Sequence, residues 1–471
     1  MSSDSRVERD SLGELTLAPG ALYGINTLRG ISNFPISGRT LGSSTPLVRS
    51  LALVKQAAAM ANLDVGALDE ATAQAIATAC TKMASGHFNE YLLCDLFEGS
   101  GGTSINMNVN EVLANAALQL LGSPLGDYSR VHPNDHVNLS QSTNDVLPTA
   151  VKLAAFEATQ GLIDSLIALA DAIAQKGQAF SSVLRLGRTC LQDAQPMTLG
   201  QAFSGYESVL RRHVAQLQQR RIELLKVPLG GTAIGTGFGV RPGYRKAVFE
   251  HLVQLSGEPI QPSRNAFDGM QNMDTCARLS AEIRGTANSL WKLGNDLIIL
   301  SSGPAGGLGE LKLPAVQAGS SIMPGKVNPV IPMAICQVAL AVFGNDAAIS
   351  LGAQQGLLDL NHYEMVIVDR LLDSVEMLTG AVDTLTNNCI AGLKANVERS
   401  LDNLMNSSAL ATALVPALGY AKVSKLVKDS AQQGISFVDL AVAQGHLNEA
   451  QVHIALNLSA TDPESLATLK G

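Results

Sequence analysis

Hydrophobic residues recur at three- and four-residue intervals through most of the chain, which is the spacing of one face of an α-helix. Residues 149–178 show this pattern most clearly, and the same spacing continues in four further stretches, 198–226, 277–301, 333–352 and 366–396. These stretches have no central proline and are longer than the usual globular helix. They predict long helices that pack nearly antiparallel in a bundle.

Strand patterns are few, so the predicted fold class is all-α. Short extended pieces are expected only near residues 16–21, 181–189 and 308–313. After about residue 398 the stretches with helical spacing become shorter. We therefore predict an N-terminal mostly helical domain, a central long-helix bundle domain and a small C-terminal helical domain, spanning residues 1–141, 142–397 and 398–471.

Five small, polar segments separate the long helices. They are rich in Gly, Ser, Thr and Asn and comprise GSGGTSINMN (99–108), HPNDHVNLSQSTND (132–145), GRTCLQDAQP (187–196), GGTAIGTGFG (230–239) and AGSSIMPGKVNP (318–329). Polar loops of this kind on a rigid helical scaffold are typical of catalytic loops.

The composition restricts the classes of partner. The chain has 471 residues, of which 46% are hydrophobic and 16% charged, and its mean hydropathy is +0.17. It contains no uninterrupted apolar run of about 18 residues, so no membrane span is expected. Such an apolar chain is expected to bury more than one face of its helices, which favours oligomerisation. A net charge of −8 argues against nucleic acid but permits an anionic substrate.

The N-terminus has no apolar signal region, and the six scattered cysteines form no CxxC pair. These features predict reduced thiols in the cytoplasm, with neither a zinc site nor a disulfide framework. His132 and His136 are four residues apart, but Pro133 between them favours a structural or effector role over a metal pair. The run Gly235–Gly239 follows no strand, so no nucleotide cofactor is predicted.

The segment Gly319–Pro329 carries the most concentrated chemistry. Two hydroxyls, a cation and an amide stand between glycines that free the backbone and prolines that restrict it. Such a set can grip a carboxylate, bind a polar substituent and move a proton. From spacing alone, a flexible solvated loop explains the segment equally well.

This segment resembles the GSSxxPxKxNP signature of the fumarase/aspartase superfamily. The other four polar segments resemble their counterparts in family order, as do LYGINTLRGISNF (22–34) and GYAKVSKLVK (419–428). Within the superfamily the chain is more similar to the aspartase branch, on Thr27–Arg29, Gly102–Asn106, Gln141–Asp145 and Gln317–Gly319. The resemblance implies an all-α homotetramer around a superbundle of long helices, with active sites shared by three subunits.

The resemblance also implies residue roles. Ser320 would remove a proton beside a substrate carboxylate, and hydroxyl donors would stabilise the charge that builds on that carboxylate, at roughly 3 kcal/mol each. Those donors would be Thr103, Ser142, Thr143 and Ser321. Lys326 and Thr189, followed by Cys190, would hold the other carboxylate, while Asn144 and Asn328 would contact the leaving amino group.

Two of these positions have structural alternatives. Asn144, followed by Asp145, is also expected as a cap for a helix that begins near Pro148. Arg29 resembles a family arginine linked to substrate binding or activation, but a surface salt bridge explains it nearly as well.

The implied reaction is elimination of ammonia from L-aspartate to give fumarate. Four departures from the family pattern leave the leaving group open: Cys190 in place of histidine, Met333 in place of glutamate, Cys336 in place of asparagine, and the segment Asn361–Met365, which lacks a proline. The alternatives are another substituted succinate, such as malate, nitrosuccinate or an N-substituted aspartate, and a non-catalytic paralogue.

Overall fold

The computed structural model describes residues 5–468 and is mostly helical. Its sixteen α-helices in that range are α1 Ile25–Asn33, α2 Thr45–Asp64, α3 Glu70–Ala84, α4 Thr103–Leu120, α5 Thr143–Ala179, α6 Leu199–Glu223, α7 Tyr244–Ser256, α8 Ala266–Gln271, α9 Asp274–Leu300, α10 Val330–Gln354, α11 Glu364–Leu385, α12 Val397–Met405, α13 Ala411–Leu418, α14 Tyr420–Gln433, α15 Phe437–Ala443 and α16 Glu449–Thr461. The all-α prediction is confirmed.

The strands in the described part of the chain form four two-stranded ribbons. Three are antiparallel: β1 (Arg6–Asp10) with β2 (Gly13–Leu17), β3 (Leu184–Thr189) with β4 (Gln192–Thr198), and β7 (Leu311–Lys312) with β8 (Lys394–Ala395). The fourth pairs β5 (Lys226–Val227) in parallel with β6 (Gln261–Pro262). The three stretches predicted to be extended each contain or border one of these strands.

The long helices lie where the hydrophobic spacing predicts them. α6, α9 and α10 agree with the predicted stretches to within three residues, whereas α5 begins six residues before its predicted start. The stretch 366–396 was predicted too long, because α11 ends at Leu385 and a π-helical turn, Thr386–Ile390, follows. Asn387, Asn388 and Gly392 are poor helix formers, which explains the early end.

The described chain divides into two compact units. Within the described residues, the first comprises 5–163, 215–284 and 341–377, and the second comprises 164–214, 285–340 and 378–468. In the first unit α2 packs against α3 and α7, and its alanines at 57, 58, 59 and 61 are buried, which lets the helix backbones approach closely. The three predicted domain boundaries remain a prediction.

The second unit has a core at its C-terminal end. Leu404, Leu426, Phe437 and Leu456 are buried together with Leu186 of β3. Burial of side chains this large contributes about 1.5–3 kcal/mol each. This core therefore anchors one strand of the β3–β4 hairpin, whose tip carries two predicted site residues.

Among residues 5–468, two helices are long and apolar enough, by length and composition alone, to cross a membrane. They are α5, with a mean hydropathy of 1.3 over its most apolar window, and α10, with 1.5; 56% and 33% of those windows are buried inside the chain. Helices in the core of a globular protein pass the same test. α5 also buries the ionisable side chains of Asp145 and Lys152, which is costly in hydrocarbon.

Candidate active site

Asp145 joins two of the polar loops. Its buried carboxylate accepts hydrogen bonds from the amides of Ser142 (2.9 Å), Gly230 (3.0 Å) and Thr232 (3.0 Å). Burial raises the pKa of Asp145 to about 6, although the three amide donors act in the opposite direction. The carboxylate thereby fixes the first turn of α5 against the glycine-rich segment 230–239.

A hydrogen-bond chain supports Thr143 from behind. Asn106 of α4 donates from Nδ2 to Thr143 Oγ1 at 3.0 Å and to Asn138 Oδ1 at 3.1 Å. Lys55 of α2, which is fully buried, donates to Asn138 Oδ1 at 2.9 Å and to Gln141 Oε1 at 3.0 Å. Because Thr143 Oγ1 accepts from Asn106, its own O–H is available as a hydrogen-bond donor.

Ser142 and Asn144 also present defined groups. Ser142 Oγ accepts from the Asn144 amide at 3.2 Å, which leaves its O–H as a donor. Asn144 Nδ2 donates to the Ala233 carbonyl at 2.9 Å, so its Oδ1 is left as an acceptor. The expected cap near Pro148 is wrong, because α5 begins at Thr143 and Pro148 lies inside the helix.

Thr103 is the first residue of α4. Its hydroxyl donates to the Ser100 carbonyl at 3.0 Å, so this hydroxyl must turn before it can donate to a substrate. The preceding Gly102 has φ +86°, and a Cβ there would lie 2.6 Å from Leu147 Cγ. Only glycine satisfies both conditions, and this close approach fixes the start of α4.

Arg29 forms a bidentate ion pair with Asp10. The guanidinium Nε and Nη2 lie 2.6 Å from Asp10 Oδ2 and Oδ1, and the hydrogen bond from Arg29 holds the pKa of Asp10 below its usual value. This contact corresponds to the salt-bridge alternative. The buried Glu111 carboxylate caps the helix that carries Arg29, by accepting from the amides of Gly24 and Thr27.

In the second unit, Thr189 and Cys190 lie at the tip of the β3–β4 hairpin. Cys190 and Leu191 have φ values of +51° and +61°, which permits a tight turn. The hairpin is held by the buried carboxylate of Glu310, which lies 2.9 Å from Arg185 Nε and 2.7 Å from Arg188 Nη1. Cys190 is exposed and carries a free thiol.

The segment 319–329 is closed by its own hydrogen bonds. The Gly319 amide donates to the Lys326 carbonyl at 2.9 Å, and Asn328 Nδ2 donates to the Gly319 carbonyl at 2.6 Å. Ser320 Oγ accepts from the amides of Ile322 (3.2 Å) and Met323 (3.0 Å). Donors aimed at an oxygen favour its anionic form, so these two amides suit an alkoxide.

The neighbouring side chains of this segment are open to solvent. Ser321 and Lys326 are exposed, and within residues 5–468 no carboxylate lies within 4 Å of the Lys326 ammonium. Asn328 is half-buried and keeps its Oδ1 as an acceptor because Nδ2 is already bonded. One predicted set, comprising Thr103, Ser142, Thr143 and Asn144, belongs to the first unit, and the other, comprising Thr189, Cys190, Ser320, Ser321, Lys326 and Asn328, belongs to the second.

The side chains of His132 and His136 accept hydrogen bonds from nearby backbone amides. His132 Nδ1 accepts from the amides of Asn134 and Asp135, both at 3.1 Å, and His136 Nδ1 accepts from the His132 amide at 2.8 Å. These bonds order the π-helical turn Pro133–Val137. Among the described residues, no group of three or more His, Cys, Asp or Glu side chains is arranged to hold a metal ion.

Comparison with known proteins defines the class. The model of the family described as Lyase matches residues 13–344, and that of Fumarase C C-terminus matches residues 410–460. An aspartate ammonia-lyase of Pseudomonas aeruginosa is 45% identical over 449 residues, which cover 95% of each chain. A class II fumarate hydratase of Nitrosomonas europaea is 41% identical over 451 residues, covering 95% of this chain and 97% of that protein.

The structural comparison agrees. The solved structure of fumarate lyase:delta crystallin from Brucella melitensis bound to cobalt superposes with a TM-score of 0.94 and 43% identity, covering 98% of this chain and 100% of that one. The chain therefore belongs to the lyase family of the fumarase/aspartase superfamily, as its motifs predicted. It is an enzyme, and it groups with the carbon–nitrogen lyases.

Proposed function

We propose that the chain is an aspartate ammonia-lyase that converts L-aspartate to fumarate and ammonia. The similarity to aspartate ammonia-lyases carries this proposal, since the Pseudomonas aeruginosa enzyme is 45% identical over nearly the whole chain. The donor and acceptor pattern of the site residues supports it. Hydroxyl donors stand at the positions proposed for the carboxylate, and amide oxygens stand at those proposed for the amino group.

In the proposed mechanism, the Ser320 alkoxide takes a proton from Cβ of the substrate. The electron pair of that C–H bond moves onto the adjacent carboxylate and gives an aci-carboxylate, to which Thr103, Ser142, Thr143 and Ser321 donate. The pair then returns to form the Cα–Cβ double bond as the C–N bond breaks on the opposite face, and ammonia leaves. Preorganised donors of this kind contribute about 3 kcal/mol each to the transition state.

The remaining site residues would orient the substrate. Lys326 supplies a solvent-exposed cation with no carboxylate partner among the described residues, and Thr189 with Cys190 would complete this carboxylate contact. Asn144 and Asn328 each have Nδ2 engaged, so each offers Oδ1. An ammonium group only donates hydrogen bonds, so two acceptors suit it. A nitro group only accepts, which disfavours nitrosuccinate.

We also propose a cytoplasmic homotetramer in which three subunits contribute to each active site. One subunit would provide Thr103 together with Ser142 to Asn144, because Asn106 of α4 hydrogen-bonds Thr143 of α5 within one chain. A second would provide Thr189 and Cys190, and a third Ser320 to Asn328. The apolar helix α10 supports assembly, because Met333, Leu340 and Leu351 are exposed on it and only 33% of its most apolar window is buried within the chain. Ser320→Ala and Thr189→Ala chains, mixed and reassembled, should then regain part of the activity. Two folded, assembled variants that fail to complement would refute shared sites.

The deciding experiment measures fumarate by its ultraviolet absorbance. L-Aspartate should be turned over faster than L-malate, nitrosuccinate and N-substituted aspartates, and Ser320→Ala should lower kcat by roughly 10²–10⁴-fold. Ser129→Ala, an exposed serine in another turn, is the matched control and should keep full activity. Equal turnover by Ser320→Ala would exclude the serine base.

A second candidate is a lyase with another leaving group. The 41% identity to a class II fumarate hydratase and the departures at Cys190, Met333 and Cys336 favour it. Faster turnover of L-malate or of an N-substituted aspartate than of L-aspartate would establish this alternative. A folded tetramer that is inactive on the whole panel would contradict both candidates.

A further inference from the structure

A cavity of about 1140 Å³ lies within the first unit, and none of the residues assigned to the active site lines it. It is larger than the roughly 300–1,000 Å³ of most small-molecule pockets. Three acidic side chains line it, Glu223, Asp268 and Asp274. Six cationic side chains also line it: Lys152, Arg220, Lys226, Arg245, Arg264 and Arg278.

The acidic side chains are already engaged within the wall. Glu223 accepts from Arg220 at 2.8 Å and from Arg278 at 3.2 Å, and Arg278 also pairs with Asp274. Asp268 accepts from Asn272 Nδ2 at 2.8 Å. The other four cationic side chains are Lys152, Lys226, Arg245 and Arg264. In the part of the chain that the structure describes, no carboxylate lies within 4 Å of any of them.

Lys152 makes the cavity unlike an ordinary basic surface. Its side chain projects from α5 and is only 4% exposed. Among the described residues it makes one long hydrogen bond, of 3.4 Å, to the Lys226 carbonyl. An ammonium group has three donors, and burial without an anionic partner is costly. Burial accordingly lowers the pKa of Lys152. An anion in the cavity would supply the missing acceptors and restore the charged form.

Two glycines let the walls of the cavity close together. A Cβ on Gly235, which lines the cavity, would lie 2.9 Å from the Phe267 amide nitrogen, and a Cβ on Gly230 would lie 3.1 Å from Arg245 Cγ. The main chain of 230–235 therefore packs directly against the segment and the arginine that face the cavity. The amide of Gly230 also donates to Asp145, so one wall is continuous with the candidate active site.

We propose that this cavity is a second binding site, which takes a small polyvalent anion on Lys152, Lys226, Arg245 and Arg264. Four unpaired cations call for three or more negative charges within one molecule, which a C4 dicarboxylate does not carry. The shared ligand chemistry is a cluster of anionic oxygens, found in polyphosphates and in tricarboxylates. The site is independent of the proposed reaction.

The test is isothermal titration calorimetry, in which pyrophosphate, citrate and succinate are each titrated into the assembled protein at constant ionic strength. We expect saturable binding of pyrophosphate or citrate, at least tenfold tighter than that of succinate. The Lys226→Gln/Arg264→Gln double variant should bind at least tenfold more weakly, since it removes two charge-assisted contacts to the anion. Both side chains are exposed, so the double variant should fold normally.

Lys246→Gln is the matched control, because this lysine follows Arg245 in α7 but is 83% exposed and does not line the cavity. It should bind like the unmodified protein. Tighter binding of pyrophosphate than of citrate, or the reverse, identifies the class of ligand. Absence of saturable binding, equal affinity of the double variant and the control, or succinate binding as tightly as the larger anions would each overturn the proposal.

Discussion

Glu310 should be the residue on which the β3–β4 hairpin depends most. Its side chain is fully buried. Its two carboxylate oxygens accept hydrogen bonds from Arg185 and Arg188 and, at 3.1 Å, from Nδ2 of Asn403. Glu310→Gln keeps the shape but removes the charge, so two guanidinium groups that are only 9% and 11% exposed lose their counter-ion. Breaking a buried ion pair in this way costs about 3–5 kcal/mol.

The activity should change in a specific way. Arg188 directly precedes Thr189, so loosening the hairpin displaces a residue proposed to hold a substrate carboxylate. We expect KM for L-aspartate to rise more than kcat falls, because the proposed base and the hydroxyl donors lie on other segments. Urea unfolding followed by circular dichroism measures the first effect, and initial rates measure the second.

The matched control is Glu157→Gln, the same chemical change in an exposed ion pair with Arg49. Exposed pairs contribute about 0–1 kcal/mol, so this variant should unfold near the original urea concentration. Adding Arg185→Met to Glu310→Gln removes one stranded cation and should recover part of the loss. Glu310→Gln with the stability and KM of the control would refute the buried-charge argument.

Three further predictions concern the first unit. Lys55→Met should lower kcat, because the hydrogen-bond chain that runs through Asn138 and Asn106 to Thr143 loses a buried donor. Initial rates with L-aspartate test this. Burial raises the pKa of Glu364 to about 8, so the contribution of this carboxyl to stability is largest below its unfolded-state pKa and is lost as pH rises toward 8. The urea midpoint should therefore fall less with pH in Glu364→Gln than in the unmodified protein, and the same pH dependence in both would contradict this. Gly102→Ala should lower activity and stability far more than Gly122→Ala, because both have positive φ but only the first Cβ meets another side chain.

The sequence predicts the helical scaffold well because helix formation leaves a local record. Apolar spacing places α6, α9 and α10 to within three residues. The expected helix start at Pro148 fails for an identifiable reason. A proline usually marks a helix start, but Asp145 binds the Ser142 amide and allows α5 to begin one turn earlier. That carboxylate is itself held by amides 85 and 87 residues away.

The site was predictable only where a motif carries it. The polar segments indicated the hydroxyls, amides and Lys326, but nothing local marks Lys55, Asn106 or Glu310 as their supports. Lys55 lies in an alanine-rich helix, and its partners Asn138 and Gln141 are more than 80 residues away. Such contacts are set by tertiary packing, which periodicity does not encode. Asp145 stood inside a recognised segment, yet its role depends on Gly230 and Thr232.

The departure at Met333 bears directly on the proposed chemistry. A glutamate there would pair with Lys326, whereas Met333 offers no charge and is 46% exposed one turn into α10. Because Lys326 is exposed, the missing acid leaves its ammonium in contact with solvent. A substrate carboxylate then meets a cation without displacing an internal partner. Met333→Glu should therefore weaken substrate binding, seen as a higher KM for L-aspartate that added salt reduces; a lower KM would show that this enzyme has lost a needed acid.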